Sequence, residues 1–381
     1  MSHKAKLVIS TTLATAAFLL ACATLFSSAG AEVRSLNISC SEDVDAKINS
    51  DPQDTATRFV LKACTYEVSQ PVILKDGDEL VGPEGKTAEE GPAIYGKPKA
   101  RLVGGTVDRV ISANGSNIIV EWVDISGAKG EIDYSEPSSS CPASPLPSGC
   151  PVVGTGVGIA MGSADGTAVV QYVNVHDNDA AGIANAAGRI THSHFTRNTN
   201  LNAFLGVNAS AIKGIREFEA AFNYVHDEQG NGIWHDHSLS TEGDVPEMSS
   251  NPGGGTWVHD NVTVDNERWG IRYENAPRDA QEGEHLPTPT FLAEDNRIAA
   301  NGYGGASVVD AQNAEWRENI FGPQVIGKTS YPGNANGLAM RIHDSGGTWG
   351  TRTDIWNISV HDNTLNDETI TGCSLPAVTC Q

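Results

Sequence analysis

The stretch FNYVHDEQGNGIWHD, residues 222–236, carries the pattern that decides the fold. An apolar residue and Asn223 open it, a loop of turn residues follows, and Ile233 of the phrase Gly-Ile lies ten residues after the asparagine. The same pattern returns in VHDNVTVDNERWGIRYE, residues 258–274, where Asn261 lies ten residues before Ile271. A phrase that recurs with a fixed internal spacing is typical of a repeat architecture.

Further copies of the phrase extend the repeat in both directions. Asn296 lies ten residues before Ala306, and 23 residues separate Asn296 from Asn319. Other copies begin at Val173 and at Val360. A unit of roughly 20–30 residues that allows longer insertions predicts a solenoid.

The residues between the turns favour strands over helices. The segments are short and rich in Val, Ile, Phe and Tyr, and Gly, Asn and Asp punctuate them every few residues, which is strand and turn chemistry. Three short strands per turn, stacked in parallel, give an all-β, single-stranded right-handed parallel β-helix. The recurring asparagines then stack at one corner, where each side-chain amide can bond the next coil.

The N-terminus predicts export. Lys4 and Lys6 precede an almost uncharged stretch from Leu7 to Phe26, and the small residues 29–31 form a cleavage pattern, so residues 1–31 are expected to be a signal peptide. The chain would then be secreted. An alternative is a lipoprotein signal that lipidates Cys22. Residues 32–105 are expected to form an N-terminal cap and the first coils, and residues 106–381 the β-helix, as one continuous domain.

Charge and cysteines limit the partners and the compartment. Removal of Lys4 and Lys6 takes the net charge from −22 to −24, which argues against nucleic acid and an anionic membrane. We expect a monomer with no membrane attachment after signal removal. Loss of Cys22 leaves an even number of cysteines, suited to an oxidising compartment. Pairing of nearest neighbours would give the disulfides Cys40–Cys64, Cys141–Cys150 and Cys373–Cys380.

Aligning the coils on Ile212, Ile233 and Ile271 predicts a candidate site. If these residues point inward, alternation along a strand turns the opposite face outward. That face carries five residues: Lys213, Trp234, Asp236, Arg272 and Glu274. Elimination on a uronate polymer needs a base for the C5 proton and a cation beside the carboxylate. Lys213 is the candidate base, Arg272 the candidate neutraliser, and Asp236 and Glu274 complete the catalytic set.

Other interpretations of the same face stay open. Asp236 and Glu274 on adjacent coils also fit a retaining glycoside hydrolase, and the face could bind carbohydrate without catalysis or hold ordinary cross-strand ion pairs. Trp234, His237 and Trp269 are candidate substrate-binding residues. Acidic turns at 177–179 and 226–228 make calcium a candidate cofactor. His226, His235, His237 and His259 lack a recognised zinc spacing, so no metal site is predicted there.

The coil phrases resemble a known family. Ala211-Ile212-Lys213, Gly232-Ile233-Trp234-His235-Asp236 and Gly270-Ile271-Arg272-Tyr273-Glu274 are similar to those of right-handed parallel β-helix repeat proteins in the pectin-lyase-like superfamily. The resemblance runs from about Phe59 to Asn366 and implies the fold. It implies a carbohydrate-related role more loosely, because the superfamily includes lyases, hydrolases, epimerases, tailspikes and adhesins. It brings no established catalytic set, since the chain lacks the calcium-binding aspartates of pectate lyases and the paired aspartates of polygalacturonases.

Overall fold

Short parallel strands stack into three columns that wind around one apolar core. The computed structural model describes residues 33–52, 54–130, 156–162, 167–199, 209–236, 255–276, 285, 291–325, 337–344, 355–366, 368–375 and 377–381. The chain consists of two compact units, residues 1–34 and residues 35–381. Almost all of the first unit, including the predicted signal peptide, lies outside the described residues, and the second unit is the one described below.

The strands are short and occur from one end of the described chain to the other. The first ten are β1 (Arg34–Ile38), β2 (Thr57–Leu61), β3 (Thr65–Glu67), β4 (Val72–Leu74), β5 (Glu79–Val81), β6 (Lys86–Glu90), β7 (Ala93–Lys97), β8 (Ala100–Val103), β9 (Arg109–Ala113) and β10 (Ile119–Glu121). The next ten are β11 (Val123–Ser126), β12 (Val157–Ala160), β13 (Val169–Gln171), β14 (Asn174–His176), β15 (Ala181–Thr191), β16 (His194–Thr196), β17 (Ser210–Ala221), β18 (Tyr224–His226), β19 (Asn231–Asp236) and β20 (Thr256–His259). The last ten are β21 (Val262–Val264), β22 (Trp269–Ala276), β23 (Phe291–Glu294), β24 (Arg297–Ala299), β25 (Gly304–Arg317), β26 (Ile320–Phe321), β27 (Leu338–His343), β28 (Trp356–His361), β29 (Ile370–Thr371) and β30 (Val378–Cys380).

The three columns are the three sides of each coil. Side one runs β4–β9–β12–β15–β17–β19–β22–β25–β27–β29, with every neighbouring pair parallel. Side two runs β2–β5–β10–β13–β15–β17–β20–β23–β25–β28–β30. Side three runs β3–β8–β11–β14–β16–β18–β21–β24–β26. The fold is therefore the predicted right-handed parallel β-helix with three strands per coil.

Asparagines hold the corner between side two and side three. The amide of Asn223 donates to Oδ1 of Asn261, which lies 3.0 Å away. The same bond joins Asn261 to Asn296, Asn296 to Asn319 and Asn319 to Asn363 at 2.9–3.0 Å. These five residues, the corner ladder, confirm the stacking role that the repeat predicts. The residue before each ladder asparagine has a left-handed conformation, as at Asp260 with φ 51°, which lets the chain turn sharply.

The inward residues form a continuous core. Ile212, Ile233 and Ile271 are at most 1% exposed and belong to it, as the alternation predicts. Aromatic residues also pack in this core, and Tyr273 stacks on Phe291, with 4.5 Å between the ring centroids. His235 is also fully buried, and its ring contacts Phe218. His235 therefore belongs to the core and not to the outer face.

The first and last coils carry the disulfides. Cys40 bonds Cys64, and Cys373 bonds Cys380, so two predicted pairings are confirmed, whereas Cys141 and Cys150 lie outside the described residues. The only helix among the described residues, α1 (Val44–Asn49), packs against β4 and buries Val44 and Ile48 in the core. The boundary between a cap at 32–105 and the β-helix at 106–381 stays a prediction. None of the described helices is long and apolar enough to span a membrane.

Candidate active site

Three adjacent coils on side one bring the predicted site residues together. The register aligns Lys213 of β17 with Trp234 of β19, and Trp234 with Arg272 of β22. It also aligns Asp236 with Glu274. Because Ile212, Ile233 and Ile271 point into the core, the residue that follows each isoleucine leaves the strand on the other face. The shared face predicted from the sequence is therefore present.

Trp234 lies between two cations. The ammonium of Lys213 is 3.9 Å from the centroid of the indole, and the guanidinium carbon of Arg272 is 5.2 Å from it. Both distances are within the range of cation–π attraction. The indole lies on the coil between the two positive charges, keeps them two coils apart and stabilises both.

Each cation has a carboxylate partner. Nζ of Lys213 is 2.8 Å from Oδ2 of Asp236, and Arg272 forms an ion pair with Glu274. The amide of Asn275 donates to the other carboxylate oxygen of Asp236 at 3.3 Å. The group is thus two alternating ion pairs, named here the side-one cluster: Lys213, Trp234, Asp236, Arg272 and Glu274.

Glu274 differs from an ordinary paired carboxylate. Burial raises the pKa of its carboxyl group, Arg272 opposes that rise, and the negative charge of Asp236 adds to it. Its Oε2 atom is buried and has no hydrogen-bond partner among the residues that the structure describes. A carboxyl group with a raised pKa and an unused oxygen has the properties of a proton donor in catalysis.

The expected exposure of this face is wrong. Lys213 is 1% exposed, and Asp236 and Glu274 are each 4% exposed. Arg272 is the member that reaches solvent, with 15% of its side chain exposed. Alternation predicts the side of the strand from which a side chain leaves, but not whether that side is covered. The cluster is therefore a buried charge network that opens at Arg272.

The predicted substrate-binding residues separate in space. Trp234 lies within the side-one cluster. Trp269 opens β22, is 4% exposed, and meets Tyr303 edge to face with 6.1 Å between the ring centroids. His237 lies outside the described residues. Trp234 contacts the charged residues Lys213 and Arg272.

Two further coils extend the face and carry residues that sequence reasoning missed. The register continues from Arg272 through Ser307 of β25 to Arg341 of β27. In the next column it continues from Glu274 through Val309 to His343. Arg341 and His343 are half-buried. The chain distance from the previous repeat phrase to β27 is irregular, and β27 lacks the Gly-Ile phrase. The signal that could have found Arg341 and His343 was the alternation of inward and outward residues on either side of Met340.

His343 is held in the neutral form. Burial lowers the pKa of its imidazole, the positive charges of Arg341 and Arg272 lower it further, and Asp310 and Asp344 oppose the shift. A neutral imidazole beside two guanidinium groups can accept a proton. The half-buried part of this face therefore combines one neutral base, His343, with two cations, Arg272 and Arg341.

The acidic turns proposed for calcium are engaged in protein contacts. Both carboxylate oxygens of Asp177 accept from Arg197, at 2.8 and 2.9 Å. Glu228 is fully buried and accepts from Asn198 at 2.9 Å. Over the described ranges, the group of three acidic residues close enough to share a cation is Glu294, Asp295 and Glu318, and Glu294 is already paired with Arg317. A calcium cofactor stays a prediction.

Comparisons with known proteins identify no family for this chain. No protein-family model matches this sequence, and the curated proteins contain no match. Among solved structures, the Dettilon tailspike protein is 13% identical with a TM-score of 0.45, and the match covers 86% of this chain and 62% of that chain. The A-module of an Azotobacter vinelandii mannuronan C-5 epimerase is 13% identical with a TM-score of 0.45 and coverages of 89% and 94%.

A third solved structure, the family 28 exopolygalacturonase of Yersinia enterocolitica, is 12% identical with a TM-score of 0.40 and coverages of 89% and 75%. The chain thus spans less than two thirds of the length of the tailspike. The right-handed parallel β-helix described above rests on the strand register of this chain. Similarities of this size carry no argument about function.

Proposed function

We propose that this chain is a secreted polysaccharide-active enzyme that cleaves a uronate-containing polymer by β-elimination on side one. The observation that carries the proposal is the buried carboxyl group of Glu274, which has a raised pKa and an oxygen without a hydrogen-bond partner among the described residues. It lies on the same face of side one as Arg341 and His343, which are half-buried. Elimination needs a proton acceptor, a proton donor and a positive charge beside the uronate carboxylate.

The roles follow from charge state. Arg272 and Arg341 would neutralise the uronate carboxylate, which makes the C5 proton acidic. The neutral imidazole of His343 would accept that proton, the electron pair would form the C4–C5 double bond, and the bond from C4 to the glycosidic oxygen would break. Glu274 would give its proton to the leaving oxygen. Two coil spacings of ~4.8 Å separate Glu274 from His343, room for one sugar ring between them.

Lys213, predicted from the sequence as the base, fits a different role better. Its ammonium forms a 2.8 Å ion pair with Asp236, and a protonated amine has no lone pair with which to accept a proton. In this proposal Lys213 keeps Asp236 ionised, and the charge of Asp236 helps to raise the pKa of Glu274. Its loss should therefore lower the rate indirectly.

A hydrolase is the second candidate, because Asp236 and Glu274 are register neighbours with different charge states. Lys213 holds Asp236 as a carboxylate, while burial favours the protonated form of Glu274. Carboxyl groups on adjacent coils, ~4.8 Å apart, match the separation of ~5 Å in retaining glycosidases. Asp236 would then be the nucleophile and Glu274 the acid.

One experiment separates these functions. Purified mature protein is incubated with polygalacturonate, alginate and a neutral glucan, while ultraviolet absorbance of unsaturated product and new reducing ends are both followed. Elimination raises both signals on a uronate polymer, whereas hydrolysis raises reducing ends alone. Binding without turnover on every polymer would overturn the enzyme in favour of a carbohydrate-binding protein.

Variants assign the residues. Glu274→Gln and His343→Gln are each expected to lower kcat by about 10²–10⁴-fold, the usual contribution of a positioned acid or base, with an unchanged circular dichroism spectrum. The matched control is Glu294→Gln, which alters another carboxylate–arginine pair, with Arg317, on side two, and should leave the rate unchanged. Equal losses in Glu274→Gln and Glu294→Gln would contradict the assigned site.

A further inference from the structure

A pair of histidines on the outer face of side three lies apart from the proposed active site. His194 of β16 and His226 of β18 lie on adjacent coils, and their Nε2 atoms are 2.8 Å apart. The ring centroids are 4.9 Å apart, so both Nε2 atoms lie between the two rings. The protonation of the other ring nitrogens decides what the two Nε2 atoms can do.

The tautomer of His194 follows from its neighbours. The amide nitrogen of Asn174 donates to Oδ2 of Asp124 at 2.6 Å, because a carboxylate accepts and cannot donate. Asn174 must therefore turn its Oδ1 atom toward Nδ1 of His194, 2.8 Å away. Since that oxygen only accepts, Nδ1 of His194 carries the hydrogen, and Nε2 of the neutral ring carries a lone pair.

His226 reaches the same state by a different contact. Its Nδ1 atom is 2.6 Å from Oδ2 of Asp227, and the carboxylate again requires the hydrogen on Nδ1. Its Nε2 atom therefore also presents a lone pair in the neutral ring. Two lone pairs that face each other across 2.8 Å repel, so either a proton or a metal ion must lie between the two Nε2 atoms.

We propose that His194 and His226 form a binding site for a divalent transition-metal ion of the kind that imidazole prefers, Cu²⁺ or Zn²⁺. Neutral imidazole whose second nitrogen donates to a carboxylate or an amide oxygen is the usual state of a metal-bound histidine. Ligand distances of ~2.0–2.1 Å put two nitrogens at right angles about 2.9 Å apart, and two nitrogens in tetrahedral geometry about 3.3 Å apart. The observed Nε2–Nε2 separation is close to the first case, and both rings must tilt for their lone pairs to reach one ion beside the line that joins the two nitrogens.

His194 lies among aromatic side chains. Its ring centroid is 5.0 Å from that of Tyr95 and 5.5 Å from that of Tyr224, so the ring is held in place. A fixed neutral ring with its lone pair directed at a second imidazole is preorganised for coordination.

The test uses the mature chain without an affinity tag, treated with a chelator and then titrated with CuCl₂, ZnCl₂ or MgCl₂. We expect saturable binding of one Cu²⁺ or Zn²⁺, none of Mg²⁺, and nitrogen coupling from two imidazoles in the electron paramagnetic resonance spectrum of the Cu²⁺ form. The ion joins adjacent coils, so it should also raise the melting temperature.

Variants distinguish this site from other histidines. His194→Gln and His226→Gln should each weaken Cu²⁺ binding at least tenfold, and Asp227→Asn should weaken it less. His361→Gln, which alters a histidine paired with Asp362 on side two, is the control and should bind like the wild type. Affinity that is unchanged in both His194→Gln and His226→Gln, or no saturable binding at all, would overturn the proposal and leave the pair sharing a proton.

Discussion

Glu228 is a buried acid in a row of amides. Asn178 donates to Asn198 at 2.8 Å, and Asn198 donates to Oε1 of Glu228 at 2.9 Å. On the coil directly after Glu228, Asn266 donates to Asn301 at 2.9 Å. Oε2 of Glu228 is buried without a hydrogen-bond partner among the described residues, where an amide would donate to Asn266. Burial raises the pKa of Glu228 well above its ordinary value.

Glu228→Gln should therefore stabilise the protein at neutral pH. The unfolded state loses its proton near pH 4.3 while the folded state still holds it, so wild-type stability falls as pH rises above that value. We expect a gain of about 1–3 kcal/mol at pH 7 that disappears below pH 4, measured by urea unfolding across pH. Glu219→Gln is the control, because Glu219 is buried but paired with Arg189, and it should destabilise. A loss of stability in both variants would contradict the protonated state of Glu228.

For single residues, the sequence predicted which side chains lie next to each other better than it predicted their burial. Period-two alternation gave the column Lys213, Trp234, Arg272, because register follows from the repeat. It gave no information on burial, which depends on what covers a face. His343 was missed because β27 lacks the Gly-Ile phrase. Glu228 was assigned to an acidic turn because it interrupts the asparagines of its row.

The corner ladder shows how an element is stabilised along the coil axis. The Nδ2 atom of Asn261 donates to backbone oxygens of Ala220 and His259, both at 2.8 Å, and to Asn296. Its Oδ1 atom accepts from the backbone and side chain of Asn223, both at 3.0 Å. Each amide thus bonds the coils before and after it, and buried networks of this kind are costly to interrupt.

Asn261→Ala is expected to lower the free energy of unfolding by about 2–4 kcal/mol, because it leaves several buried polar groups without partners. Asn363→Ala is the matched comparison at the end of the ladder. Asn363 is only partly buried, so water can replace some of its bonds, and a loss of about 1 kcal/mol is expected. Denaturant unfolding measures both, and equal losses would show that position in the ladder does not matter.

The ladder could be predicted because one residue type recurs at a fixed offset from Gly-Ile. The second row, through Asn178, Asn198 and Asn266, escaped prediction because Glu228 and Gln324 interrupt the residue type. Gln324 nevertheless continues the bonding, since its Oε1 atom accepts from the backbone of Asn301 at 3.0 Å. A row in which successive coils keep the same hydrogen bonds but change the residue type leaves no repeated pattern in the sequence.

On the scale of the whole molecule, stability is a sum over neighbouring coils. An interior coil of a solenoid has two neighbours and a terminal coil has one, so the ends open first. Both described disulfides lie at these positions, with Cys40 bonded to Cys64 beside the first coils and Cys373 bonded to Cys380 on the last. The covalent links therefore compensate for the missing neighbour at each end.

Removal of one link should loosen one end only. Cys40→Ser with Cys64→Ser opens a loop of 24 residues, which is worth about 3–4 kcal/mol by chain entropy. Hydrogen exchange should then accelerate in α1 and in β1 to β3, while the amides of β17, β19 and β22 keep their protection. The variant Cys373→Ser with Cys380→Ser is the control, and should speed exchange in β28 to β30 instead. Uniform acceleration through all coils in either variant would mean that the solenoid unfolds as one cooperative unit, and that the disulfides stabilise every coil rather than the end that carries them.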